Sequence, residues 1–156
     1  MSFHRVIIAG LPRSGTTLLA TLLAGQKDVS FLTDYLEVFH SVARQFNGSW
    51  NQELPLVQRR GALSKLRDQL LRMRHDLKVG EDDFHSVDSF HRAVLTEFVS
   101  GGESVAGHKA RLNPGDLRKT VLDTDVHCVV LYRDPRDSAL SYFHRTGGGV
   151  ERHLEE

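Results

Sequence analysis

Within the stretch V-I-I-A-G-L-P-R-S-G-T-T-L-L, Val6 to Leu19, the hydrophobic pattern changes period abruptly. Arg5 to Ala9 reads as a short strand, apolar and β-branched, and Gly10 ends it. Leu18, Leu19, Leu22 and Leu23 then recur at helical spacing as far as Gly25. A continuous apolar strand that turns directly into a helix needs cover on both of its faces. A parallel sheet flanked by crossover helices provides that cover.

The rest of the chain continues the alternation. Thr33-Asp34 predicts the start of a second helix running to about Phe46, where Asn47-Gly48-Ser49 breaks it. Leu63, Leu66, Leu70, Met73 and Leu77 form one apolar stripe on a charged helix over 58–77. Asp88 to Ser100 predicts another helix, closed by Gly101-Gly102. Ser104 to Lys109 reads as a strand, Pro114 to Leu122 as a helix, and Val126 to Tyr132 as the most apolar strand. Asp134 and Pro135 suit the cap and first turn of a final helix. The fold class expected is α/β, a central parallel sheet with every strand covered on both faces. Its 156 residues suit one domain, 1–156, with no internal repeat.

Twenty basic and twenty acidic residues leave no net charge, so no long-range attraction to nucleic acid is expected. No segment reaches the roughly 20 apolar residues of a membrane span. The single cysteine, Cys128, fits a reducing, cytoplasmic setting. The nine histidines show neither H-x-H nor H-E-x-x-H spacing, so no metal is expected.

The turn after the first strand carries the chemistry. Gly10 and Gly15 have the spacing of a phosphate-binding P-loop, with backbone N–H groups and a helix N-terminus facing an anion. Thr16 and Thr17 offer hydroxyls. The position of the usual P-loop lysine is Thr16, and the cation is Arg13, inside the loop. The last strand delivers Arg133 where a magnesium-binding acid would be expected for ATP or GTP hydrolysis. Cations at two strand ends suggest a ligand with two separated anionic groups. A plain capped strand-to-helix turn is the simpler alternative.

The segment Gly10-Leu-Pro-Arg-Ser-Gly-Thr-Thr17 resembles the 5′-phosphosulfate loop of the sulfotransferases. Leu131-Tyr-Arg-Asp-Pro-Arg-Asp-Ser-Ala-Leu-Ser-Tyr142 resembles their 3′-phosphate motif. The resemblance implies a P-loop-type three-layer sandwich and 3′-phosphoadenosine 5′-phosphosulfate (PAPS) as sulfuryl donor, with no metal required. It assigns Pro12, Arg13, Ser14, Gly15, Thr16, Thr17, Arg133 and Ser141 to the nucleotide, with 45–102 the variable acceptor region. On a helix starting at Pro135, Ser138, Ser141 and Arg145 share a stripe, although a solvated face suffices for Ser138 and Arg145.

By the same resemblance Arg13 stands where the family places its catalytic lysine or arginine, and Lys109 matches a lysine that leans on the sulfuryl oxygens. Arg13 as a mere loop anchor, and Lys109 as a solvated strand end, are the alternatives. The acceptor's proton needs a base. The family histidine two residues after the strand-end lysine is replaced by Arg111. The branch with arginine in its first loop, which includes bacterial members and tyrosylprotein sulfotransferases, uses a glutamate at the second helix. Asp34 occupies that place, with Glu37, His40 and His108 as alternatives. Asp34 and Glu37 also have capping-box spacing, which would by itself account for an acid there.

Family members usually continue past the second motif, so the chain is expected to be C-terminally short. The acceptor is expected to be a small molecule, glycan or peptide, and oligomeric state is left open. A non-catalytic PAP- or PAPS-binding module and a small P-loop kinase are the competing readings.

Overall fold

The computed structural model describes residues 3–35, 49–72, 76, 78–99, 101–110, 118, 122 and 124–146. The elements are β1 (His4–Gly10), α1 (Thr16–Ala24), β2 (Val29–Tyr35), α2 (Leu56–Arg72), α3 (Val87–Phe98), β3 (Val105–Ala110), β4 (His127–Leu131) and α4 (Pro135–Thr146). A 3-10 turn, Glu81–Asp83, precedes α3. The strands form one four-stranded sheet in the order β2-β3-β1-β4. Every pairing is parallel, so all four carboxyl ends lie at one edge. With helices on its faces, this is an α/β sandwich of the P-loop kind.

The layers follow from strand periodicity. Successive residues of β1 point to opposite faces, and Ile7 and Ile8 are both fully buried. Ile7 joins a core with Leu63, Leu66 and Leu70 of α2 and Phe90 and Val94 of α3. Ile8 packs with Ala20 and Phe31, bordered by Leu19 and Leu23 of α1. Each buried aliphatic side chain contributes about 1.5–3 kcal/mol. The stripe expected on α2 is therefore the core-facing stripe, while Met73 and Leu77 lie outside the described residues.

Two expectations change. The helix expected from Thr33 is preceded by a strand that the apolar periodicity did not reveal: Val29–Tyr35 pairs with β3. Its alternating Val, Phe and aromatic content suits a pleated surface, and the neighbouring strand, distant in sequence, decides the matter. Residues 36–46 of the expected helix lie outside the described residues, as does nearly all of the helix expected at 114–122. Finally, β4 is not covered on both faces. It sits at the sheet edge, and Val129 and Val130 are 40% and 55% exposed.

One buried charge ties the layers together. Arg5 of β1 is 1% exposed. It donates to the Asp88 carboxylate of α3 at 2.6 Å, to the Asp88 carbonyl at 3.2 Å, and to the Asp125 carboxylate just before β4. A guanidinium without water must be paired in this way.

Candidate functional site

The site is built at the carboxyl edge of the sheet, where β1 lies between β3 and β4. In register, Gly10 faces Leu131 of β4 and Ile8 faces Lys109 of β3. The loop leaving β1 is therefore bracketed by Lys109 on one side and by the segment carrying Arg133 on the other. A crevice between neighbouring strand ends is the usual ligand position in an open parallel sheet.

The loop's shape is set by its glycines. A methyl group on Gly10 would sit 2.8 Å from the Leu131 carbonyl oxygen, so the loop begins in close contact with β4. Gly15 has φ 97°, in the left-handed region that glycine adopts without strain. It precedes α1, and no side chain caps that helix. The first helical bond runs from the Leu19 amide to the Gly15 carbonyl at 3.1 Å. The amides of Thr16, Thr17 and Leu18 thus precede the first helical donor and remain available to an anion. Arg13 also lies in the left-handed region, at φ 69°. For a non-glycine residue that conformation costs about 1–2 kcal/mol, a cost often met at functional turns.

The two motifs touch. Arg13 Nε donates to Ser141 Oγ at 3.0 Å, and Arg133 donates to the Arg13 carbonyl at 3.2 Å. Ser141 is on α4, whose start is fixed by Asp134. The Asp134 carbonyl accepts the Ser138 amide at 3.0 Å, and its carboxylate accepts the Arg136 amide at 2.9 Å. The Arg136 side chain, more than its backbone amide, holds the Asp134 carboxyl below the usual carboxylate range. Lys109 Nζ donates to Thr17 Oγ1 at 3.1 Å, across the sheet from Arg133. A lysine, missing from the loop sequence itself, thus reaches the loop from β3.

A cavity of about 560 Å³ opens here, lined by Arg13, Arg133, Asp137, Leu140, Ser141, His144 and Arg145. Arg5, Arg60, Arg92 and Arg136 are all paired with carboxylates. Arg13, Lys109 and Arg133 instead contact a hydroxyl or a carbonyl oxygen, which leaves their charge uncompensated by any described carboxylate. That arrangement attracts an anion.

Of the residues expected on one stripe of α4, Ser141 and Arg145 line the cavity, and Arg145 is exposed. Ser138 departs from both readings. It is 1% exposed, and its hydroxyl has no partner among the described residues. Ser14 Oγ is likewise buried without a partner among them. Thr16 follows Gly15 in the first turn of α1, and Pro12 lies in the loop. His144 was not singled out from the sequence; its place one turn beyond Ser141 was the available signal.

For the base, the structure changes the field. Asp34 lies within β2, where the register with β3 is irregular between Leu32 and Tyr35, and Tyr35 faces Lys109. Asp34 is therefore not the cap of a helix, and the capping-box account of it does not apply. Glu37 and His40 lie outside the described residues. His108 is fully buried. Its Nδ1 is 3.0 Å from the Lys109 carbonyl, which can only accept, so Nδ1 carries the proton. Its Nε2 is 3.0 Å from His91 Nε2, and His91 Nδ1 is 3.4 Å from Arg5. With both imidazoles neutral, protons order in one direction, from Arg5 through His91 and His108 to the Lys109 carbonyl. His108 supports the end of β3 and offers no face to an acceptor.

Among the described residues, no group of three or more His, Cys, Asp or Glu side chains is arranged to hold a metal ion. Among the same residues, no helix is long and apolar enough to cross a membrane. Cys128 is half-buried, and burial pushes its thiol up to about 11, which keeps it protonated at neutral pH. In comparison with known proteins, a family model described as "Sulfotransferase family" matches residues 5–153. No curated protein matches the sequence.

Proposed function

The chain belongs to the sulfotransferase family, and on that premise we propose that it moves a sulfuryl group from PAPS to an acceptor hydroxyl or amine. One observation carries the proposal. Two motifs more than a hundred residues apart meet, Arg133 on the Arg13 carbonyl and Arg13 on Ser141, around one cavity rich in cations.

The residues present fit the donor. Arg133 and Ser141 would hold its 3′-phosphate. Thr16, Thr17 and the free amides that open α1 would hold its 5′ end, with Pro12, Ser14 and Gly15 shaping the loop. Lys109, already on Thr17, would place positive charge beside the sulfuryl oxygens. Bound PAPS would supply the sulfuryl group, leaving PAP once that group is transferred. Arg13 is assigned to the oxygen that gains charge as the S–O bond breaks. Its always-protonated guanidinium acts there by charge and hydrogen bonding, not as an acid. Asp34, next to Tyr35 at the end of β2, is assigned to take the acceptor's proton. The acceptor is a small molecule, glycan or peptide. Cys128 as a free thiol supports a cytoplasmic setting.

The test is calorimetric titration of PAP, ADP and ATP–Mg²⁺ into wild type and Arg133→Ala. Metal-independent PAP binding is expected, weakened roughly 10- to 100-fold by the substitution, as for loss of hydrogen bonds to a charged group. A preference for ATP–Mg²⁺, or PAP affinity indifferent to Arg133, would overturn the proposal.

A further inference from the structure

Lys109 Nζ lies 3.1 Å from Thr17 Oγ1, delivered on a flexible four-carbon stem by the second-last residue of β3. The ladder beside it is irregular: the register between β2 and β3 shifts between Leu32 and Tyr35, and Tyr35 faces Lys109. Lys109 and His108 point to opposite faces of the sheet. His108 pairs in register with Ile7, whose side chain lies among α2 and α3, whereas Lys109 pairs with Ile8, on the α1 side. His108 therefore meets Lys109 through the backbone, its Nδ1–H donating to the Lys109 carbonyl at 3.0 Å. Behind that bond the groups are enclosed. His108 and His91 are both 0% exposed, and their Nε2 atoms are 3.0 Å apart. The two rings stand at 67° with centroids 5.0 Å apart, and Trp50 meets the His91 ring edge-on at 5.7 Å. The series ends on Arg5, 3.4 Å from His91 Nδ1, and Arg5 cannot shift without leaving the Asp88 carboxylate.

We propose that His108, held by His91, is a positioning residue: it fixes the backbone at Lys109 and so aims the lysine at the sulfuryl end of the donor. The direction of the bonds follows from the carbonyl. Because the Lys109 carbonyl only accepts, His108 Nδ1 holds a proton and its Nε2 a lone pair. His91 Nε2 then donates to it, and His91 Nδ1 accepts from Arg5. Turning either ring by half a turn puts carbon where a bond is made, so each ring has one satisfied orientation. The pair thus transmits the fixed place of Arg5 to the end of β3, from the face opposite Thr17. What it positions is specific to one part of the donor. Arg133 and Ser141 grip the 3′-phosphate with or without a sulfuryl group present, whereas Lys109 meets only the sulfuryl end. Preference for PAPS over PAP, rather than affinity for both, therefore depends on His108. The inference rests on the nucleotide reading above.

The test measures PAPS and PAP binding by calorimetry for wild type, Lys109→Ala, His108→Gln and His108→Asn, and reads the ratio of the two affinities. Loss of folded protein affects both ligands alike and cancels in that ratio. Asparagine puts an amide N–H where Nδ1–H stood and keeps the bond to the Lys109 carbonyl, whereas glutamine reaches toward His91 instead. Lys109→Ala is expected to lower the preference for PAPS. His108→Gln should lower it roughly three- to tenfold, the worth of one hydrogen bond, and His108→Asn should keep the wild-type ratio. His91→Leu, which removes the partner of His108 Nε2, should lower the same ratio and replaces His108→Gln if that variant does not fold. A wild-type ratio in the variant read, with Lys109→Ala still lowering it, overturns the positioning role and leaves the donor assignment intact. Equal losses in the glutamine and asparagine variants also overturn it, because the bond to Lys109 is then not the cause. No effect of Lys109→Ala overturns the inference together with the lysine's assignment, and failure of wild type to bind PAP overturns the nucleotide reading with it.

Discussion

A single methyl group at Gly10 should damage both fold and site, whereas the same methyl at Gly61 should help. At Gly10 the added carbon would lie 2.5 Å from Ser14 Oγ, 2.8 Å from the Leu131 carbonyl oxygen and 2.9 Å from Thr16 Cγ2. Ser14 can rotate away. The Leu131 carbonyl cannot, because it belongs to β4, whose register pairs Leu131 with Gly10 itself. Ordinary contact begins at 3.4 Å, so the loop and β4 must separate by about 0.6 Å. Overpacking of that kind costs about 1–3 kcal/mol. For a chain of this size a 2 kcal/mol loss lowers Tm by about 6 °C. The same displacement moves the loop's anion donors, and PAP binding should fall by about tenfold. At Gly61, within α2, a methyl group meets nothing within 4 Å. Gly61→Ala should gain about 0.5–1 kcal/mol from helix propensity, raising Tm by about 2 °C. Gly15→Ala isolates the backbone component, because its surroundings are open but its φ is 97°. It should cost about 1 kcal/mol. Thermal unfolding by circular dichroism and calorimetry with PAP read all three variants. Gly10→Ala with wild-type Tm and PAP affinity would refute the close approach of the loop to β4.

The buried arginine and its exposed neighbour should separate just as clearly. Arg5→Met removes the hydrogen bonds to the Asp88 carboxylate and to His91 Nδ1 and should cost about 3 kcal/mol in urea unfolding. Arg92→Met, which removes an exposed partner of the same Asp125, should cost less than about 0.5 kcal/mol, and equal effects would show that burial is not the cause. Asp125 adds a pH signature. The Arg5 hydrogen bond, ahead of the burial that opposes it, holds its carboxyl below the usual carboxylate range. A folded pKa lower than the unfolded one gives stability that is present above about pH 4 and is lost as pH falls through the folded value. Wild type should therefore lose its stability advantage over Asp125→Asn below about pH 4, and a constant difference down to pH 2 would contradict the assignment.

The architecture was legible where the determining contacts are local. The strand, loop and helix from Val6 to Leu23 follow from apolar runs and two glycines. The start of α4 follows from Asp134 and Pro135, which cap and seed it through bonds to the next few residues. Both motifs that resemble those of the sulfotransferases sit in such local frames, so their residue types and spacing could be read directly. The α2 stripe was legible for the same reason, because residues three and four apart share a face.

What the sequence alone determined, then, is which segments are strands and helices over most of the described chain, and which two short segments resemble the phosphate motifs of the family. Only the tertiary structure decided that Val29–Tyr35 is a strand, because its ladder partner is β3, distant in sequence. Only it placed β4 at an edge, buried His108 against His91, and brought Lys109 to Thr17 and Arg13 to Ser141. Those pairs are separated by 17, 92 and 128 residues. A helix or a cap is specified by groups within a few residues of one another, so a short window of sequence contains its cause. A contact across the sheet is specified by which strands become neighbours, and that choice belongs to the burial of the whole chain.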